Sequence, residues 1–510
     1  MKFLEDKIAI IDLGSNSVRM IIMKILENGS YKMIDQAKEM VRLSEGMSQD
    51  SYLKPVAVQR TIGALKLFRK LIDSYEVENV VAIATAGVRN AKNGIPFIEK
   101  VKNETGFDFD VIPGEKAAYY DYIGVINTIA VEDCVILDVG GGSTEIILVE
   151  NRKIKNSVSI PYGAVNMTER FLGKGEESSV ERIIKLEGFF RDQLCRLGWL
   201  DNVRGLNVVG LGGSIRTLAK INKRAGGYFI KGLHNYRMEP FEVEEVYRKV
   251  ANTKTSERKE IPGLQKDRAD IIAGGLVPLK VLMEYLDSRM LIISGNGLRE
   301  GVFYKHYLKK SGYDYEMVPD VLNHSITNTL KKYDVNEHHS GHICKLALEM
   351  FDQLPEIHGA GKDRRKLLEA GAMLHDIGLY VDYYNHHSHG FYLALNSNIN
   401  GINNKELVFC AFIIAMHRDE SFKKRWNDYK LYINKEDYEA IRKLSIFVWI
   451  AEELDRNDYG SIEGLKCSCK GDDVVLKLVP SGKTDAWRGF ELKSGKDFRK
   501  LFGRNIALHC

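Results

Sequence analysis

Nowhere in the 510 residues does an apolar run approach the roughly 20 residues that a membrane-spanning helix needs. The chain also lacks the charged, apolar and small-residue succession of a signal peptide at its start. A cytoplasmic protein without a membrane partner is expected. Charge of one sign is equally scarce: 73 Lys and Arg against 69 Asp and Glu leave a net +4. Such balance gives no support to wholesale nucleic-acid binding, so an anionic ligand would be met by local Arg and Lys groups. The seven cysteines are scattered apart from the pair Cys467 and Cys469, which reads as reduced thiols and not as a disulfide framework. With 44% hydrophobic and 28% charged residues, the chain is long enough for several cores, three or four domains as a prior.

What the chain does have is one phrase written twice. Asp12-Leu-Gly-Ser-Asn-Ser-Val-Arg19 and Asp138-Val-Gly-Gly-Gly-Ser-Thr-Glu145 share an Asp-x-Gly-x-x-Ser frame, each flanked by runs of Ile, Val, Leu and Met. Each predicts strand, tight glycine turn, strand. The turn can offer consecutive backbone N–H groups to an anion, and the Asp can hold a cation or polarise water. A second pair agrees. Val80 to Arg89 and Asn207 to Arg216 both read as a buried strand, a small-residue turn and a helix opening just before an Arg. The offsets, 138 − 12 = 126 and 216 − 89 = 127, are about one domain length. Two similar halves facing each other across a cleft are predicted.

For phosphate chemistry with water, a site needs cations, donors to nonbridging oxygens and a group that orients or deprotonates water. Gly140, Gly141, Gly142 and Ser143 can cradle a phosphate, as can Gly14, Ser15, Asn16 and Ser17 opposite, beside Asp12. The small turn Gly212, Gly213 and Ser214 joins the same set. Asp138 and Glu145 are the oxygen ligands expected for Mg²⁺, which prefers one or two carboxylates plus waters. Arg19, Arg89 and Arg268 are expected as phosphate clamps.

Together with Ile10 to Ser17, Ala84 to Arg89 and Leu137 to Glu145, the segments Arg268 to Gly275 and Ser294 to Gly301 resemble the exopolyphosphatase and guanosine pentaphosphate phosphatase family of the actin superfold. Five motifs in the expected order make a specific signal. The resemblance implies an α/β fold of duplicated actin-like (ribonuclease H-like) halves, with the helix after Ser294-Gly-Asn-Gly crossing back to the first half. Its implied substrates are inorganic polyphosphate or guanosine pentaphosphate, and it implies a homodimer. The family's catalytic Glu follows a Gly within three residues, after the first half's last strand. Here that segment is Ile112-Pro-Gly-Glu-Lys-Ala-Ala, and the matching position is Ala117. Alanine cannot hold a water. Three explanations stand: an engineered, silenced enzyme, a natural form that binds without cleaving, or Glu115 standing in by a local shift, although two residues along a helix turn it to another face.

Beyond Lys309-Lys-Ser-Gly the pattern turns helical, and ten of the thirteen histidines fall between His324 and His417. His339, then His375-Asp376, then Asp455 is an order similar to the HD phosphohydrolase superfamily, whose two imidazoles and two carboxylates hold a divalent metal. His386, His387, His389 and His417 offer a second metal site. The alternative is a helical scaffold that keeps these residues for packing and hydrogen bonds. The expected division is 1–125 and 126–309 for the two halves, 315–464 for an all-α HD-like domain, and 465–510 for a small α+β tail. Three functions remain open: a phosphoanhydride hydrolase, a binding or sensing module for the same anions, and an HD-type metal phosphohydrolase.

Overall fold

The apolar stretch Ile8–Ile11 inside strand β1 (Asp6–Leu13) is buried without alternation, as befits a strand covered on both faces. Around it the first sheet forms from β2 (Val18–Ile25), β3 (Tyr31–Glu39), β4 (Asn79–Ala84) and β5 (Phe109–Val111), in the order β3-β2-β1-β4-β5. Strands β1, β2 and β3 are an antiparallel meander, while β4 and β5 run parallel to β1. The structure, a computed structural model, describes residues 5–173, 180–228, 230, 232–312, 316–418, 420–455, 462–481 and 491–509.

The second sheet repeats this plan. Strands β6 (Cys134–Val139), β7 (Thr144–Glu150) and β8 (Lys153–Ile160) form the meander, and β9 (Val208–Leu211) runs parallel beside β6. Strand β10 (Tyr236–Met238) is an added antiparallel edge outside β11 (Leu291–Ile293), giving the order β10-β11-β9-β6-β7-β8. Each sheet has its own core: Ile11, Val18, Phe68 and Phe97 in the first, Leu137, Ile146, Leu218 and Leu276 in the second. These are the two actin-like halves, and with the segment up to Pro319 they form one compact unit.

The helix Leu298–Lys310 follows β11 and returns to the first half. There Tyr307 donates to the Gly29 carbonyl at 3.2 Å, and the His306 ring meets Asp6 at 2.8 Å. It packs on the helix Gly114–Ile126 through glycines. A Cβ at Gly301 would lie 1.9 Å from the Tyr120 carbonyl oxygen, and one at Gly124 would lie 2.5 Å from that of Gly297. Only bare backbone permits this approach.

Residues Asp320–Cys510 form the other compact unit. Its main helices are Val321–Lys332, Glu337–Gln353, Arg365–Met373, His386–Asn396, Asn404–Met416 and Lys435–Leu454. On Glu337–Gln353, Ile343, Leu346, Ala347, Met350 and Phe351 are buried at helical spacing, and the Asn336 side chain caps the free amides of His338 and His339. A three-stranded sheet follows, β12 (Ile462–Lys470), β13 (Asp473–Pro480) and β14 (Asn505–His509), in sequence order. Among the described residues no helix is long and apolar enough to cross a membrane, and no disulfide forms.

The glycine contact generates a prediction. Gly301→Ala forces the two helices apart, an overpacking that costs about 1–3 kcal/mol. A lowered thermal midpoint in calorimetry is the expected outcome, with Ser311→Ala at the end of the same helix as an unchanged control.

Candidate active site

The registers of the two meanders set up the chemistry. Strands β1, β2 and β3 align Asp12, Arg19 and Lys38 in one row, and β6, β7 and β8 align Asp138, Glu145 and Ser159 in the matching row. Both turns close with the same bond: Gly14 N–H donates to the Ser17 carbonyl at 3.1 Å and Gly140 N–H to that of Ser143 at 3.0 Å. Both are braced from the chain beyond the third strand, by the amides of Arg42 and Ser44 on Asn16 and Ser15, and by those of Ala164 and Val165 on Gly140 and Gly141. Among the described residues the amides of Ser15, Asn16, Gly141 and Gly142 have no backbone acceptor, which leaves them for a ligand.

The turns touch. A Cβ at Gly142 would lie 2.5 Å from the Ser15 hydroxyl, and one at Gly141 would lie 2.9 Å from the Ser15 Cβ. Between them is a cavity of about 120 Å³, lined by Asp12, Gly14, Ser15, Asn16, Ser17, Arg19, Ala117, Asp138, Gly140, Gly141, Gly142, Ser143, Glu145, Gly212, Gly213 and Arg268 among others. Water occupies about 30 Å³ per molecule, so this space suits a phosphate-sized group with few waters. The Arg268 guanidinium lies directly over Gly213, where a Cβ would stand 2.2 Å from its Cζ.

Burial dominates the electrostatics. It raises Asp12, against the pull of Arg299 and Arg19, and raises Asp138, against Arg216 and Arg19. Burial and then Asp138 push Glu145 up to about 7, although Ser143 and Ser159 donate to its Oε1 at 2.7 and 2.8 Å. Arg19 falls to about 10 through burial and then Arg216 and Arg299; Arg268 falls to about 10 through burial and then Arg19. Among the described residues no carboxylate stands within 4.0 Å of the Arg19, Arg216 or Arg268 guanidinium. Like charges crowded this way suit an anion that arrives from outside.

Several expected residues stand elsewhere. Arg89 lies outside the cavity lining and donates to the Ile112 carbonyl at 2.9 Å. Ser214 packs behind the site, where a Cβ at Gly275 would lie 2.1 Å from its hydroxyl. Glu115 is exposed on the first turn of Gly114–Ile126, whereas Ala117 faces the cavity and is 5% exposed. Two lining residues, Arg216 and Asp121, escaped the sequence reading. Arg216 was visible as the repeat partner of Arg89; Asp121 was marked only by its i+4 spacing from Ala117.

In the helical unit, His339, His375, Asp376 and Glu452 bring one ligand atom each within 4.8 Å of one another, and Asp376, His386 and His417 do the same. Asp455 accepts from His339 Nδ1 at 3.2 Å, and Glu452, one helical turn earlier, takes the place expected for it. His387 and His389 stand outside both groups. Burial lowers His375, but Asp376 and then Glu452 outweigh it and raise it to about 10. Burial also lowers His339, and Asp455 and Glu452 raise it to about 9. Protons thus hold the cluster where a cation would, and Asp376 Oδ1 is buried without a hydrogen-bond partner. A cavity of about 860 Å³ opens beside it, lined by Tyr333, Tyr380, Tyr383, Arg418 and Trp449 among others.

The cation row of the first half yields a pH dependence. Burial and then Arg268, with smaller pressure from Arg19 and Lys220, pull Lys38 down to about 8 against the attraction of Asp267 at 3.7 Å. Its charge is present below that pH and lost above it. Affinity for inorganic tripolyphosphate, measured by calorimetry, is expected to fall from about pH 7 to about pH 9, and Lys38→Gln to remove about two- to fivefold of that fall, the worth of one partly exposed charge pair.

Comparison with known proteins agrees with this geometry. The model of the Ppx/GppA phosphatase family matches residues 21–310, and that of Ppx/GppA phosphatase, domain III, matches residues 321–486. A guanosine-5'-triphosphate,3'-diphosphate pyrophosphatase of Pseudoalteromonas translucida is 27% identical over 490 residues, 94% of this chain and 90% of that protein. A bifunctional 3-dehydroquinate synthase/phosphatase of Fusobacterium nucleatum is 31% identical over 301 residues, 56% of this chain but only 45% of that protein. Among solved structures, the Aquifex aeolicus member of the Ppx/GppA family shares 31% identity at a TM-score of 0.51, over 60% of this chain and 99% of that one. An exopolyphosphatase from Cytophaga hutchinsonii shares the fold at 23% identity and a TM-score of 0.57, over 61% of this chain and all of that one. With duplicated halves, facing turns and both domain models matched, this chain belongs to the Ppx/GppA phosphatase family.

Proposed function

We propose that the cleft of the N-terminal unit hydrolyses the terminal phosphoanhydride of inorganic polyphosphate, or removes the 5'-terminal phosphate of guanosine pentaphosphate, at a rate depressed by Ala117. The observation that carries this reading is a phosphate-sized cavity shared by both glycine turns, by Arg19, Arg216 and Arg268, which have no carboxylate partner among the described residues, and by the carboxylates Asp12, Asp138 and Glu145. The terminal phosphoryl group is held by the turn amides from both sides, and Arg19, Arg216 and Arg268 take its nonbridging oxygens and the next phosphate. Asp138 Oδ1, buried and without a hydrogen-bond partner, fits an oxygen-seeking cation. Asp138 and Glu145 would hold Mg²⁺, which supplies charge neutralisation on the phosphate oxygens.

Ala117 offers the attacking water nothing but a methyl group. A positioned base contributes about 10²–10⁴-fold, while positioning and electrostatics contribute separately. Ala117→Glu is therefore expected to raise phosphate release from polyphosphate or guanosine pentaphosphate at least about tenfold, read by a colorimetric phosphate assay with Mg²⁺. Tight binding of either anion with no release in both proteins would favour the sensing reading instead.

A second reading concerns the helical unit, where a buried Asp376 oxygen without a hydrogen bond and two overlapping ligand groups support a divalent metal site of the HD type. Stoichiometric metal after purification, measured by mass spectrometry, is expected in the native protein and lost in the His375→Ala, Asp376→Ala double variant. Metal retained by that variant would assign the ion elsewhere.

A further inference from the structure

One carboxylate in the cleft has no part in the reading above. Asp121 lies one helical turn beyond Ala117 on Gly114–Ile126, so both project from the same helix face, and both line the phosphate-sized cavity. Asp121 is 2% exposed, and its Oδ1 has neither solvent nor a hydrogen-bond partner. Leaving such an oxygen unpaired is costly unless a ligand or water completes it. The start of the crossing helix closes over it: a Cβ at Gly297 would come within 3.0 Å of Oδ1. Burial, and then Asp138, Glu145 and Asp12, hold its acid strength well below that of an ordinary aspartic acid, with the Leu298 amide acting the other way. The carboxyl thus lines the reaction cavity within hydrogen-bonding reach of Asp138.

We infer that Asp121 is a catalytic residue of this chain, supplying from the next helical turn the carboxylate that position 117 lacks and orienting the attacking water toward the terminal phosphorus. The inference rests on the hydrolase reading of the same cleft. In the step, the water oxygen forms a bond to the terminal phosphorus and the bridging P–O bond breaks, its electron pair leaving with the shortened chain. Asp121 takes one proton from the water as the new P–O bond forms, which an Asn amide cannot do, and returns it, so that both water protons end on the released orthophosphate. Four residues of helix separate it from position 117, about 6 Å along the axis. The water it holds therefore sits off the line that a glutamate at position 117 would favour, and turnover is slow but not absent.

The test compares the full chain with Asp121→Asn, Ala117→Glu and the double variant. Readouts are kcat and KM for phosphate release from polyphosphate and guanosine pentaphosphate, tripolyphosphate affinity, and the thermal midpoint. Asn keeps an oxygen for the Leu298 amide, so helix capping is preserved. Expected results are slow turnover in the parent, a fall in kcat of about 10²-fold or more in Asp121→Asn with KM, affinity and midpoint unchanged, and recovery of the Ala117→Glu rate in the double variant. Equal kcat in parent and Asp121→Asn overturns the inference, as does failure of the Ala117→Glu substitution to restore turnover in the double variant. A parent without turnover beside an active Ala117→Glu variant also overturns it while leaving the hydrolase reading standing. No turnover in any protein, Ala117→Glu included, removes both.

Discussion

The structure of the N-terminal unit depends on a cluster of charges withdrawn from water without close ion pairs among the described residues at its three arginines. Asp12, Asp121, Asp138 and Glu145 line the small cavity together with Arg19, Arg216 and Arg268. Direct ion pairing would be the cheapest way to bury them. They are instead kept apart by the two glycine turns, at a separation that leaves room for a phosphate. Both sheets, with their nearly unbroken apolar strands, hold this arrangement open.

Duplication explains the geometry but not the chemistry. The halves share meander, turn bond and bracing amides, yet the residue opposite the strand-end Asp is Arg19 in one and Glu145 in the other. One turn therefore stands beside a positive charge and the other beside a carboxylate. The difference at a single register position brings both signs of charge to one cavity.

Much of this was legible in the chain. The repeated Asp-x-Gly frame revealed both hairpins, because glycine turn chemistry and continuous apolar runs are short-range properties, and the common spacing of the repeats pointed to two facing halves. The residues that went unread are those whose role is fixed by distant packing. Asp121 reaches the cavity because its helix is pressed by glycine contacts against another from far along the chain, Leu298–Lys310. Glu452 joins the histidines beside Asp455, which bonds His339, because the helix Lys435–Leu454 buries that face. Conversely, Arg89 looked like the equal of Arg216 in the repeat, but it spends its guanidinium on the Ile112 carbonyl.

Backbone locked to backbone at Gly124, Gly297 and Gly301 also fixes the platform that carries positions 117 and 121. The seat is largely backbone, so a change of side chain at position 117 leaves the close contacts at Gly124 and Gly301 in place. The helix that carries both positions is thus anchored by main chain, and the two rungs that face the cavity are free to differ in side chain while the scaffold stays the same.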